Sequence, residues 1–192
     1  MILSAGAIAR VALLALLVTV LQVSGVGEIR VLGGNVDLVP LLVAGVALYA
    51  GSLPGAAAGF LVGLLLDLAL GRSLGASSLV LIAVGYGVGR YGELRDPAHG
   101  LIAIPVGAAA SAGYAFGVAV VAYLLGVTPS PSLTLLRELG LSIVLNAVLA
   151  MPVFALVRRV LGSALVTDPQ RRARRRLRRE AARGPGPSGL RA

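Results

Sequence analysis

The chain has 192 residues, 57% of them hydrophobic and only 13% charged, with a mean hydropathy of +0.93. Soluble domains carry about 25% charged residues, so there is too little charge here to clothe a water-facing surface, and the composition assigns the chain to a lipid bilayer. With no cysteine and a single histidine, His99, disulfide frameworks, thiolate chemistry, His-rich metal clusters and a histidine-based triad are all excluded, and no cofactor is expected.

Apolar runs long enough to cross a hydrocarbon core of about 30 Å need about 17–25 residues. Six are predicted, at about 7–27, 36–53, 55–71, 74–91, 101–125 and 139–161, and together they make residues 1–163 one all-α membrane domain. No period-two alternation supports a transmembrane barrel. The first run follows Arg10. Its start resembles a signal peptide, with small residues at Gln22-Val-Ser-Gly25, but it is longer than a usual signal core, so an uncleaved span is expected. Between runs two and three, Leu38 to Leu66 carries no charge. One helix of that length would reach about 43 Å, so Gly51, Pro54 and Gly55 are predicted to turn the chain into a helical hairpin. Tyr49, Tyr91 and Tyr123 fall near span ends, as interfacial anchors do.

Charge supports the count. Six spans with both termini inside place Arg10, Arg90, Arg95, Arg158, Arg159 and the nine tail arginines in the cytoplasm, against Arg30, Arg72 and Arg137 outside. Merging two spans would put the tail opposite Arg10, against the positive-inside rule.

The third run contains a ladder, Gly55-Ala-Ala-Ala-Gly59-Phe-Leu-Val-Gly63-Leu-Leu-Leu-Asp67-Leu-Ala-Leu-Gly71. Residues four apart share a helical face, and glycine on that face lets another backbone come close. Gly85 with Gly89, and Gly113 with Gly117, repeat the spacing. Gly55, Gly59, Gly63 and Asp67 are therefore candidate residues for helix packing or for a partner interface, and the spacing alone does not separate the two. Asp67 has two readings: an interfacial carboxylate reaching headgroups or Arg72, or an inward polar contact or ligand site. Asn146, one turn beyond Ser142 and ahead of an expected kink at Pro152, is predicted to hydrogen-bond between helices. The other carboxylates lie at span ends, in loops or in the tail, and nothing assembles a nucleophile with its base, a phosphate loop or a metal set, so no enzyme is expected.

The net charge of +9 is unevenly placed: residues 168–192 hold +7 of it. Residues 164–192 read as a largely disordered cytoplasmic tail in which Arg171, Arg172, Arg174, Arg175, Arg176, Arg178 and Arg179 attract anionic lipid, enforce topology or dock an acidic partner. The tail has no aromatics to stack on bases, and no nucleic-acid role is expected.

Taken together, Asp37-Leu38, Gly51-Ser-Leu-Pro54, Gly55 to Asp67, Leu74-Gly75 and Gly85-Tyr86-Gly-Val-Gly89-Arg90 resemble the rod shape-determining protein MreD family over about 55 residues. Val36 stands where the family usually has proline. The resemblance implies a non-enzymatic scaffold of the bacterial cell-elongation machinery for peptidoglycan synthesis, located in the cytoplasmic membrane. Its implied partners are an MreC-like membrane protein and, through it, MreB, RodA and a class B penicillin-binding protein; a homo-oligomer is left open. The family's fold is similar to that of S components, the substrate-binding subunits of vitamin transporters, which supplies an alternative: a small-molecule-binding transporter subunit. The outward loops, Gly33-Gly34-Asn35 and Thr128 to Thr134, are poor in ligand contacts for that role, and Ala5-Gly-Ala-Ile-Ala9 imitates the docking segment of such subunits only weakly.

Overall fold

The computed structural model describes residues 5–25, 30–31, 33–71, 73–94, 102–126 and 133–165. His99 and the seven tail arginines singled out above lie outside them. Among the described residues, six helices and one short hairpin follow in order: α1 Ala5–Val23, β1 Arg30–Val31, β2 Gly34–Asn35, α2 Leu38–Ala50, α3 Ser52–Leu70, α4 Ala76–Leu94, α5 Ala103–Leu124 and α6 Leu133–Leu165. The strands are antiparallel, with Arg30 opposite Asn35 and Val31 opposite Gly34. Three helices, Ser52–Leu70, Ala103–Leu124 and Leu133–Gly162, are long and apolar enough to cross a membrane.

α2 is the axis of the bundle. It is packed by α1, α3, α4, α5 and α6, and within it only Leu38 and Tyr49 are not fully buried. One apolar cluster joins its Val39, Val43 and Val46 to Leu14, Val62, Leu81 and Val157. A second joins Leu41, Ala44 and Leu48 to Val106, Ala110 and Phe154. A helix that is apolar all round belongs where every side meets protein. The outside of the bundle is apolar too: Leu13 and Leu17 on α1, Phe116 and Leu124 on α5, and Val144 and Val148 on α6 are exposed. That is the inverse of a water-soluble surface.

Local chemistry sets the helix ends. The Asp37 side chain accepts the Val39 N–H at 3.1 Å and starts α2, and Pro40 sits in the first turn, where a missing N–H costs nothing. The expected hairpin at residues 51–55 narrows to one residue, Gly51, whose φ of 103° favours glycine. α3 then begins at Ser52 rather than Gly55, since Pro54 fits the first turn of a helix. α3 ends at Gly71 in the left-handed conformation, its N–H reaching the Asp67 and Leu68 carbonyls.

Two helices outrun their apolar runs. α4 continues to Leu94, and α6 starts at Leu133, six residues ahead of its apolar run, and passes through Pro152 without ending. Its 33 residues measure about 50 Å, well beyond a hydrocarbon core. Arginine and glutamate end hydrophobicity but are good helix formers, so the charged turns holding Arg90 and Glu93, or Arg137 and Glu138, stay helical.

Candidate functional site

The ladder residues Gly55, Gly59, Gly63 and Asp67 are all buried, on the face of α3 that meets α4. A methyl group on Gly55 would strike Ala47 of α2 and the Gly85 carbonyl. On Gly59 it would strike the Leu81 carbonyl, and on Gly63 the backbone of Ser78. α4 answers in kind: Gly85 lies against the Gly55 carbonyl and Gly89 against the backbone of Ser52. Two main chains thus meet with almost no side chain between them, and the Ser78 hydroxyl crosses to the Phe60 carbonyl at 3.2 Å. In this structure the close neighbours of the ladder belong to the same chain. The second repeat packs as well, Gly117 against Val80, while Gly113 keeps an ordinary contact with Val84.

Asp67 is fully buried and points inward. Its Oδ2 accepts the Gly75 N–H at 2.8 Å, and the Ser77 N–H lies 3.2 Å from Oδ2 and 3.4 Å from Oδ1. Those N–H groups open α4, where a helix has donors without intrahelical acceptors and a partial positive charge. Asp67 therefore caps the neighbouring helix. At the other end of the pair the relation is reversed. Gly51 precedes α3 with no capping side chain, and Glu93 of α4 accepts the Ser52 N–H at 2.8 Å and the Ser52 hydroxyl at 2.7 Å. Glu93 lies beyond the apolar part of α4. These two bonds, the backbone one first, and then Arg90 at 3.0 Å hold its carboxyl below the ordinary value of 4.5. Each helix of the pair supplies the carboxylate that caps the other.

A second polar group gathers where the hairpin meets α6. The Asn35 N–H donates to Ser142 Oγ at 2.8 Å and the Asp37 N–H to Asn146 Oδ1 at 3.0 Å. Ser142 in turn donates to the Glu138 carbonyl at 2.8 Å. Gly34 packs directly on the backbone of Leu141 and Ser142. From α1, Gln22 accepts the Leu38 N–H at 3.0 Å and donates to the Val36 carbonyl at 3.1 Å. Backbone N–H and C=O groups outside a helix have no intrahelical partner, and these side chains supply one. Ser142 and Asn146 are thus joined through the backbone of the segment between β2 and α2. Beside them lies a cavity of about 530 Å³, walled by α1, α3, α5 and α6 and including Asp37, Ser111, Glu138 and Asn146.

Three participants have only a faint signal in the sequence. Gln22 is the lone amide in the first run, and Glu93 is one of several end-of-span acids. Ser111 is one small hydroxyl among alanines and glycines. Among the described residues, no group of three or more His, Cys, Asp or Glu could hold a metal ion.

The described residues, almost wholly helical, apolar outside and closed by main-chain contact within, are those of an all-α membrane protein. Compared with known families, residues 8–160 match rod shape-determining protein MreD, and the chain belongs to this family. It is therefore a rod-shape-determining membrane protein, of a family not known for enzymes. Neither a search of curated proteins nor one of solved structures found a match.

Proposed function

We propose that this protein is a six-span scaffold of the cell-elongation machinery, holding an MreC-like partner in the bacterial cytoplasmic membrane. Through that partner it gathers MreB, RodA and a class B penicillin-binding protein around peptidoglycan synthesis. Family membership over residues 8–160 carries the reading. The geometry supports it: α3 and α4 form a closely packed pair, and exposed apolar residues on α1, α5 and α6 leave wide surfaces for another membrane helix. The tail arginines hold the cytoplasmic end against anionic lipid at about 1 kcal/mol per charge near the surface.

Capture in mild detergent tests the partner. Tagged protein is expected to retain the MreC-like protein of its own organism, with RodA recovered only when that protein is present. Intact, monodisperse protein that retains none refutes the scaffold reading. Topology has its own test, helped by the absence of native cysteine. Ser73→Cys should label from outside the cell and Ala98→Cys only from inside. Labelling of both from one side would refute six spans.

A further inference from the structure

The cavity beside α6 has a lining that the fold does not fully use. Gln22 and Ser142 are occupied by backbone bonds of the hairpin and helix ends. Asn146 spends its oxygen on the Asp37 N–H. The Ser111 hydroxyl, on a residue only 4% exposed, has no hydrogen-bond partner among the described residues. A buried polar atom left without a partner is costly, and one lining a cavity can be satisfied by a polar group that enters it. Glu138 bonds Ser142 only through its backbone carbonyl, so its carboxylate is not part of that link.

The sign of the ligand follows from the charges. Asp37 and Glu138 line the cavity, and no Arg, Lys or His does among the described residues. Phosphate and carboxylate groups would therefore enter against like charge, while an ammonium would be attracted. Leu66, Leu70 and Ile143 offer apolar wall for a hydrocarbon body. Glu138 and Asn146 are eight residues apart on one helix, about 12 Å along its axis, so the site suits an elongated molecule. A cavity of about 530 Å³ is of the size that holds small ligands.

We propose that this cavity binds a linear alkylammonium compound, with Glu138 taking the ammonium group and Ser111 accepting or donating the inner hydrogen bond. The site is independent of the scaffold reading and requires no transport.

Thermal unfolding of the full-length protein in phosphatidylcholine nanodiscs tests it, with cadaverine as probe and glutarate, of equal chain length and opposite charge, as control. Cadaverine should raise the midpoint saturably, and glutarate should not. Glu138→Gln should weaken half-saturation at least about tenfold, the effect of losing one charge-assisted hydrogen bond. Ser111→Ala removes an unpartnered hydroxyl, so the ligand-free midpoint should hold or rise while the cadaverine response falls. A response that matched salt reproduces, that Glu138→Gln leaves unchanged, or that only phosphatidylethanolamine evokes would overturn the proposal.

Discussion

The two sides of this bundle are closed by different means. α3 and α4 meet main chain to main chain, with glycine at each crossing and a carboxylate capping each helix from the other. α5 and α6 close the opposite side through side chains, a short hairpin and a polar cluster, and leave a cavity beside them. In lipid there is no hydrophobic gain from bringing helices together, so close packing and hydrogen bonds decide the strength of a contact. The first side holds both at once. The second has fewer close approaches, and α5 has no buried residue beyond Tyr114. One side is built to stay shut, and the other has room to receive something.

Overpacking is the sharpest way to break this contrast. Gly59→Leu or Gly63→Leu forces a side chain into the backbone of α4, and the cost should exceed the usual 1–3 kcal/mol of an overfilled core. Loss of monodisperse protein on size exclusion is the expected result. If either variant folded and captured its partner normally, the weld would not exist.

Next in size is Asp67→Asn, which loses the charge and sets an amide nitrogen near two N–H donors. A drop of about 1.5–3 kcal/mol is expected from hydrogen bonds to a charged group, measured as a lower unfolding midpoint. An unchanged midpoint would return Asp67 to the role of an interfacial carboxylate.

On the looser side, Asn146→Leu removes the acceptor of the Asp37 N–H. About 0.6–2 kcal/mol is expected for one interhelical polar contact in a membrane protein. Faster hydrogen exchange should be confined to Asn35 through Leu38, and exchange spreading into α3 and α4 would deny that the two sides are separate.

The smallest effect is one of pH. The Glu93 carboxyl is held below 4.5 in the folded chain, so its contribution is present above that value and is lost as pH falls through the lowered one. The protection factor of the Ser52 amide against hydrogen exchange should fall on acidification through that range. Glu93→Gln should remove the pH dependence at Ser52.

Much of this was legible along the chain. The turn at Gly51, the stop at Gly71 and the start at Asp37 rest on residues whose backbone preferences act locally, and all three are visible as letters. The ladder was legible as a face, because spacing of four needs only the pitch of a helix. What lay against that face was not legible, since glycine in a stripe reads the same whether its neighbour is α4 or another protein. The extensions of α4 and α6 past their apolar runs were missed because hydrophobicity marks what lipid tolerates, while helicity continues through arginine and glutamate.

By itself, then, the sequence determined that the chain lives in a membrane, that it is helical, and which face of α3 comes close to another backbone. These follow from composition and pitch, which are properties of short stretches. Only the tertiary structure decided that Asp67 caps α4, that Glu93 caps α3 across 41 residues of chain, and that Ser111 faces a cavity without a partner among the described residues. A capping carboxylate or an orphaned hydroxyl is defined by what stands within about 3 Å of it, and that neighbour is brought there by the fold.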